Sequence, residues 1–208
     1  MKDEYELAKS SVELAKDFLK TITKPSLEEL GGLLADKVRY YRFKNQVKIL
    51  CDAQNYISEK GLEVKKIPLK ILVPMLENAS LEEEEILQNK WSALLANAAD
   101  NNRELLAPFV YTSILNNLTS NEVLVLDYLR DNNSISYRDL YSIFNINESN
   151  IDNLFRLRLI HDEPAEIQME EKADWELKRL KKVPKIKESE FLTLSFLGEE
   201  FVDECRLK

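Results

Sequence analysis

Apolar side chains recur at alternating spacings of four and three early in the chain, at Ala8, Val12, Ala15, Leu19 and Ile22. That period predicts a helix whose inward face is widened by Leu7, Leu14 and Phe18. Pro25-Ser26 then opens a second helix, with Ser26 and Glu29 at the S-x-x-E spacing of a capping box. Its stripe runs through Leu33, Tyr40, Val47, Leu50 and Ile57 to about Lys60, and Gly61 supplies a left-handed stop. Unbroken, such a helix reaches about 50 Å at 1.5 Å per residue, so it bends or pairs with another long helix. Gly31-Gly32 reads as a close helix contact or a kink, because no phosphate-binding pattern follows it.

Pro68 and Pro74 punctuate a short apolar helix around Leu69–Glu77. Ser80 and Glu83 predict another capping box, and Glu82–Glu85 place carboxylates where they complement the next helix dipole. Leu87, Trp91, Leu94, Leu95 and Ala98 line that helix's inward face, so Trp91 is read as core. A further helix is expected over Glu104–Asn117.

At Thr119 and Glu122 the capping-box spacing recurs and the elements shorten. Val123–Arg130 and Ser136–Phe144 predict two helices, and Asn145-Ile146-Asn147 is a tight connection to a third, Glu148–Leu159. A β-like LIHDE follows, and later the strand-like FLTLSF of Phe191–Phe196. Leu197-Gly198 leads into a last helix, Glu199–Arg206. Between the two strands, residues 164–190 read as a long charged loop with a short helix of its own around Asp174–Lys182. Helix, helix, turn, helix, strand, loop, strand is the order of a winged helix-turn-helix. The expected fold is mainly α, with an all-helical region over 1–118 and a winged helix with a small β-hairpin over 119–208.

Apolar residues make up 44% of the 208 and charged residues 32%, enough for a core and a well-solvated surface. No apolar run approaches the roughly 20 residues that span a bilayer. The amino terminus is amphipathic and acidic, unlike the basic-then-apolar start of a secretion signal. The expectation is a cytoplasmic protein with no membrane segment, in which Cys51 and Cys205 are reduced thiols. Two isolated cysteines and one histidine offer no zinc-ligand pairs, and no metal or cofactor is expected.

The net charge of −8 argues against wholesale nucleic-acid binding, but its distribution is uneven. Residues 1–66 carry 13 basic and 11 acidic side chains, residues 67–163 carry 7 and 15, and residues 164–208 carry 9 and 11. Only the first segment is net positive.

Several phrases occur together in order: Gly31-Gly32, the DKVRYYRFK of Asp36–Lys44, the PLKILVP of Pro68–Pro74, and Ala79-Ser80-Leu81-Glu82. The run closes on Trp91-x-x-Leu94-Leu95-Ala96-Asn97-Ala98-Ala99-Asp100. In these residues the chain resembles the Abi-alpha (abortive-infection alpha) family of bacterial anti-phage proteins. The resemblance implies a role in phage defence, in which an infection signal releases an activity that halts the host. It implies no particular catalytic mechanism.

Four constellations carry candidate chemistry. Lys37, Arg39, Arg42, Lys44 and Lys48 interleave with Tyr40, Tyr41 and Phe43. Cations among aromatics bind single-stranded nucleic acid or an anionic partner, whereas a solvated helix face with snorkelling lysines needs no ligand. Both readings stand. In the winged helix, Asn150 and Asn153 could read adenine edges, supported by Arg156 and by Lys178, Arg179, Lys181 and Lys182 in the wing. Glu148 and Asp152 would face phosphate unfavourably, which favours protein contact over DNA.

Arg156 and His161 have the R-x4-H spacing that resembles the motif of HEPN ribonucleases. Arginine would stabilise a phosphorane and histidine move a proton. Leu157 replaces the polar residue usual after that arginine, and His161 reads as strand rather than helix. Glu176-Leu-Lys178 forms an E-x-K triplet, but in a charged loop rather than beside another acid on a strand. No other catalytic motif is present.

The function expected is a non-enzymatic interaction or sensor module in abortive infection, with a protein partner or self-association and no small-molecule substrate. A winged-helix DNA-binding regulator is the alternative, and a ribonuclease toxin the third.

Overall fold

The computed structural model describes residues 2–22, 40–104, 107–164, 166–174, 179–187 and 190–207. It is mainly helical, with a three-stranded and a two-stranded antiparallel sheet among the described residues. The chain divides into two compact units, one of residues 1–123 and 200–208 and the other of residues 124–199.

The first unit holds α1 (Lys2–Ile22), α2 (Tyr40–Lys60), α3 (Leu69–Ala79), α4 (Glu85–Ala99) and α5 (Pro108–Leu115). On α1, Ala15, Phe18, Leu19 and Ile22 are buried as the periodicity predicts, while Leu14 is 39% exposed and does not belong to the inward face. At the 100° step of a helix, Leu14 points away from the line through Ala15, Leu19 and Ile22. The Ser26–Glu29 box, Gly31-Gly32 and Leu33 lie outside the described residues. Helix α2 buries Val47, Leu50 and Ile57, and packs against both α1 and α4. It ends at Gly61, whose φ of 61° lets Leu62 N–H reach the carbonyl of Ile57 at 3.0 Å.

Helix α4 is the centre of this unit. Every residue from Trp91 to Asp100 is buried, so this part of the helix is enclosed all round rather than on one stripe, whereas Glu85, Ile86 and Asn89 before it are exposed. Its start differs from the expected Ser80–Glu83 box. The Ser80 hydroxyl donates to Glu77 O at 2.6 Å and accepts from Arg42 Nε at 2.9 Å, and so closes α3 instead. The Glu82 carboxylate takes over, accepting from the backbone N–H groups of Glu83 and Glu84 at 2.9 Å each.

Tyr111 on α5 is fully buried against Phe201. Burial pushes its hydroxyl from 10 up to about 12, with Glu200, Glu204 and Cys205 adding to the effect. The folded state therefore holds this proton more tightly than the unfolded chain. The associated stability is complete below about pH 10 and is lost as pH rises through about 12. Comparing denaturant midpoints at neutral and strongly alkaline pH, Tyr111→Phe is expected to lose less stability than wild type. Equal losses would contradict the assignment.

Helix α6 (Ser120–Asn132) begins at the predicted capping box: Glu122 Oε2 accepts from Thr119 N at 2.7 Å, and Thr119 Oγ1 from Glu122 N at 3.4 Å.

The second unit contains β1 (Ser134–Ser136), α7 (Tyr137–Phe144), α8 (Glu148–Arg156), β2 (Ile160–Asp162), β3 (Glu166–Asp174), β4 (Arg179–Lys187) and β5 (Phe191–Leu194). The last helix, α9 (Phe196–Glu204), begins in this unit. β5 is the middle strand, antiparallel to both β1 and β2 in the order β1-β5-β2. Ile135, Ile160, Leu192 and Leu194 are buried, joining Leu129, Leu140, Ile151 and Leu154 from the helices in the unit's core. Asn145, at φ 47°, turns the chain between α7 and α8. There the Asn147 and Asn150 side chains form a reciprocal capping box, at 3.0 and 3.2 Å.

Asp174 and residues 179–182, which fall in the helix expected around Asp174–Lys182, are strand, while residues 175–178 lie outside the described residues. Residues 166–174 and 179–187 are two nine-residue antiparallel strands. In their register Glu171 stands opposite Lys182. Opposite charges at paired positions stabilise an antiparallel ladder.

Candidate functional site

The cationic stretch of α2 faces the connection between α3 and α4, and there a hydrogen-bonded polar network forms. Asn45 Nδ2 donates to Ser80 O at 3.2 Å and Glu82 O at 2.6 Å. Gln88 Nε2 donates to Glu82 O at 2.9 Å and Asn45 Oδ1 at 3.3 Å, and its own Oε1 accepts from Lys48 Nζ at 2.7 Å. Gln88 is 5% exposed. Burial of amides this deep requires such partners. The network fixes α2 against the α3–α4 connection and the first turn of α4.

Above it opens a cleft of about 700 Å³ lined by Lys44, Asn45, Lys48, Glu83, Glu85 and Gln88. Lys44 is exposed, and Lys48 is half-buried. Beside it, burial raises the Asp52 carboxyl above the usual carboxylate range, while Lys48 pulls it down and Glu85 pushes it up. The cleft thus presents cations and carboxylates on a rigid polar floor, which suits recognition of a charged surface.

The predicted cation set is divided by this arrangement. Lys37 and Arg39 lie outside the described residues, and Tyr40 opens α2. Arg42 is half-buried and tied to Ser80, and Lys48 is tied to Gln88. Lys44 lines the cleft as an exposed cation. The sequence reading did not single out Asn45 and Gln88. Gln88 stands three residues before Trp91, so an amide on a largely buried helix was the available signal.

The other candidates are in the second unit or its hairpin. Asn150 serves the α8 cap, and Asn153 Oδ1 accepts from Arg156 Nη2 at 2.6 Å. Glu148, Asp152 and Arg156 are exposed on α8. Helix α8 ends at Arg156, and His161 lies on β2 opposite Thr193 of β5, so the two ends of the R-x4-H spacing sit on different elements. The exposed His161 ring contacts the Asp162 carbonyl through Nδ1 at 2.8 Å. Arg179, Lys181 and Lys182 are on β4, with Lys182 exposed. Lys178 and Glu176 lie outside the described residues. Among the described residues, no group of three or more His, Cys, Asp or Glu side chains could hold a metal ion, and no helix is long and apolar enough to cross a membrane.

The family model described as abortive infection alpha matches residues 37–205. The chain belongs to the abortive infection alpha family. That match takes in α2 to α5, the polar network and cleft, and all of the second unit. Membership carries a role in abortive-infection defence. No significant match was found among curated proteins or solved structures.

Proposed function

We propose that this abortive infection alpha protein defends bacteria against phage as a non-enzymatic interaction module. The observation that carries the reading is the α2–α4 cleft, where exposed Lys44 stands over the Asn45–Gln88–Lys48 network. A binding face is most specific when its side chains are held by a second layer of hydrogen bonds, as here. In this reading the all-helical region, 1–118, supplies the surface for a protein partner or for self-association, and 119–208 is a winged helix that senses a second component. The strand order β1-β5-β2, with α7, a tight turn and α8 inserted between β1 and β2, supports the winged-helix assignment. The protein acts in the cytoplasm.

Protein contact is favoured over DNA at this winged helix. In the DNA-binding arrangement the α8 position enters the major groove, and here that helix exposes Glu148 and Asp152. Its two asparagines are engaged in the cap and with Arg156. Titration of the full chain with duplex DNA over a salt series is expected to show no specific binding. Binding with a steep salt slope would establish the DNA-regulator alternative instead. The ribonuclease reading is disfavoured because Arg156 and His161 lie on a helix end and a strand.

A further inference from the structure

A second surface of the helical unit, away from the α2–α4 cleft, has the chemistry of a docking site. After α2 the chain runs beside the end of α4, with Lys65 N–H donating to Ala99 O at 2.8 Å. This brings Lys65, Lys66, Ile67 and Pro68 beside Ala98, and α5 opens with Pro108 against them. Together with Ile71 and Glu104 these residues line a crevice of about 140 Å³. Among the described residues its aliphatic lining is Ile67, Pro68, Ile71, Ala98 and Pro108. Apolar cavities near 150 Å³ hold a benzene-sized group, so the crevice has room for one bulky side chain.

Next to Pro108, α5 leaves Phe109 46% and Val110 45% exposed. Lys70 Nζ stands 5.4 Å from the Phe109 ring centroid. Lys65, Lys66 and the Glu104 carboxylate thus line the crevice, and Lys70 adds a third ammonium at the neighbouring exposed Phe109. Two of the ammonium groups are fixed in place: Lys66 Nζ donates to Lys20 O at 2.7 Å, and Lys65 Nζ donates to Arg103 O. Each ammonium has three N–H donors, so capacity remains for an incoming carboxylate.

The geometry points to a docking site for an acidic polypeptide segment that seats one bulky apolar side chain in the crevice and sets carboxylates on Lys65, Lys66 and Lys70. Charge complementarity selects an acidic partner and opposes a basic one. The concave crevice takes a single anchoring side chain, which a polypeptide supplies and a lipid surface does not. This inference rests on the interaction-module reading and names the chemistry of one partner.

The test is selection of a random twelve-residue peptide library on the full chain, followed by affinity measurement with the selected peptide. The expected selection is acidic peptides with one large apolar residue, bound at least tenfold more weakly by Lys66→Glu, Lys70→Glu and Phe109→Ala. All three substituted side chains are exposed, and thermal melts check that each variant folds. Neutral or basic selected peptides, no enrichment, or unchanged affinity in the variants would overturn the site. Binding instead to vesicles of phosphatidylcholine and phosphatidylglycerol through the same lysines would also overturn it, in favour of a lipid surface. These variants leave Lys44 untouched. Failure here, with protection still lost in Lys44→Glu, removes the acidic-partner site alone, whereas unchanged protection in Lys44→Glu removes the cleft reading.

Discussion

Trp91→Ala is expected to destabilise the protein by about 3–5 kcal/mol, the usual cost of removing a large aromatic from a packed core. Trp91 is 1% exposed and begins the stretch of α4 in which every residue is buried. Leu94 and Leu95, one turn further along the helix, are fully buried as well, so this part of the core is closely packed. Close packing transmits the defect rather than absorbing it. For a chain of this size the fall in melting temperature should be roughly 6–20 °C. Trp91→Phe, which keeps a ring, should cost well under half as much. Calorimetric melts of the two variants check this. A Trp91→Ala loss below about 1 kcal/mol would mean that Trp91 is not a core residue.

The second large effect is at Gly198. A Cβ built there would lie 2.1 Å from the Leu159 carbonyl oxygen and 3.0 Å from its carbon. Both are backbone atoms, and that oxygen already accepts from Ser195 N at 2.9 Å. Ser195 also caps α9, accepting from Gly198 N at 3.0 Å through its hydroxyl. Backbone pinned on both sides cannot yield as a side-chain tip would, so Gly198→Ala should cost about 3 kcal/mol or more. Gly61 makes the contrasting case. Nothing lies within 4 Å of its Cβ position, and only its φ of +61° favours glycine. Gly61→Ala should therefore cost about 1 kcal/mol, and Gly61→Asn less, because asparagine tolerates the left-handed region. Denaturant midpoints of the three variants separate the two causes. Equal losses at Gly198 and Gly61 would contradict the close contact at Leu159.

The sequence and the structure agree where a single local rule decides. The stop at Gly61, the Thr119–Glu122 box and the burial of Leu87, Trp91, Leu94, Leu95 and Ala98 on α4 each follow from spacing alone, whereas the burial of the other face of α4 does not. Ser80 and Glu83 have the right spacing as well, but Arg42 from α2 engages Ser80 and Glu82 is better placed for the N–H groups. A contact from 38 residues away is invisible to a local pattern. The β3–β4 hairpin was hidden for a related reason. Glu166–Asp174 lacks a clean apolar alternation, and its partner strand, Arg179–Lys187, is no easier to read alone. β1 is three residues long, too short to leave a periodic signal. At the candidate site the cations were legible, but the amides that hold them were not. Asn45 and Gln88 become meaningful only when α2 and α4 are brought together.

The central claim is that an interaction surface on the helical unit, rather than a catalytic pair, carries defence. Phage plating efficiency and host survival after infection should be measured for wild type, Lys44→Glu and His161→Ala, with folding checked in each. Loss of protection in Lys44→Glu and full protection in His161→Ala is the predicted result. Full protection in Lys44→Glu with loss in a folded His161→Ala would contradict it and point to catalysis.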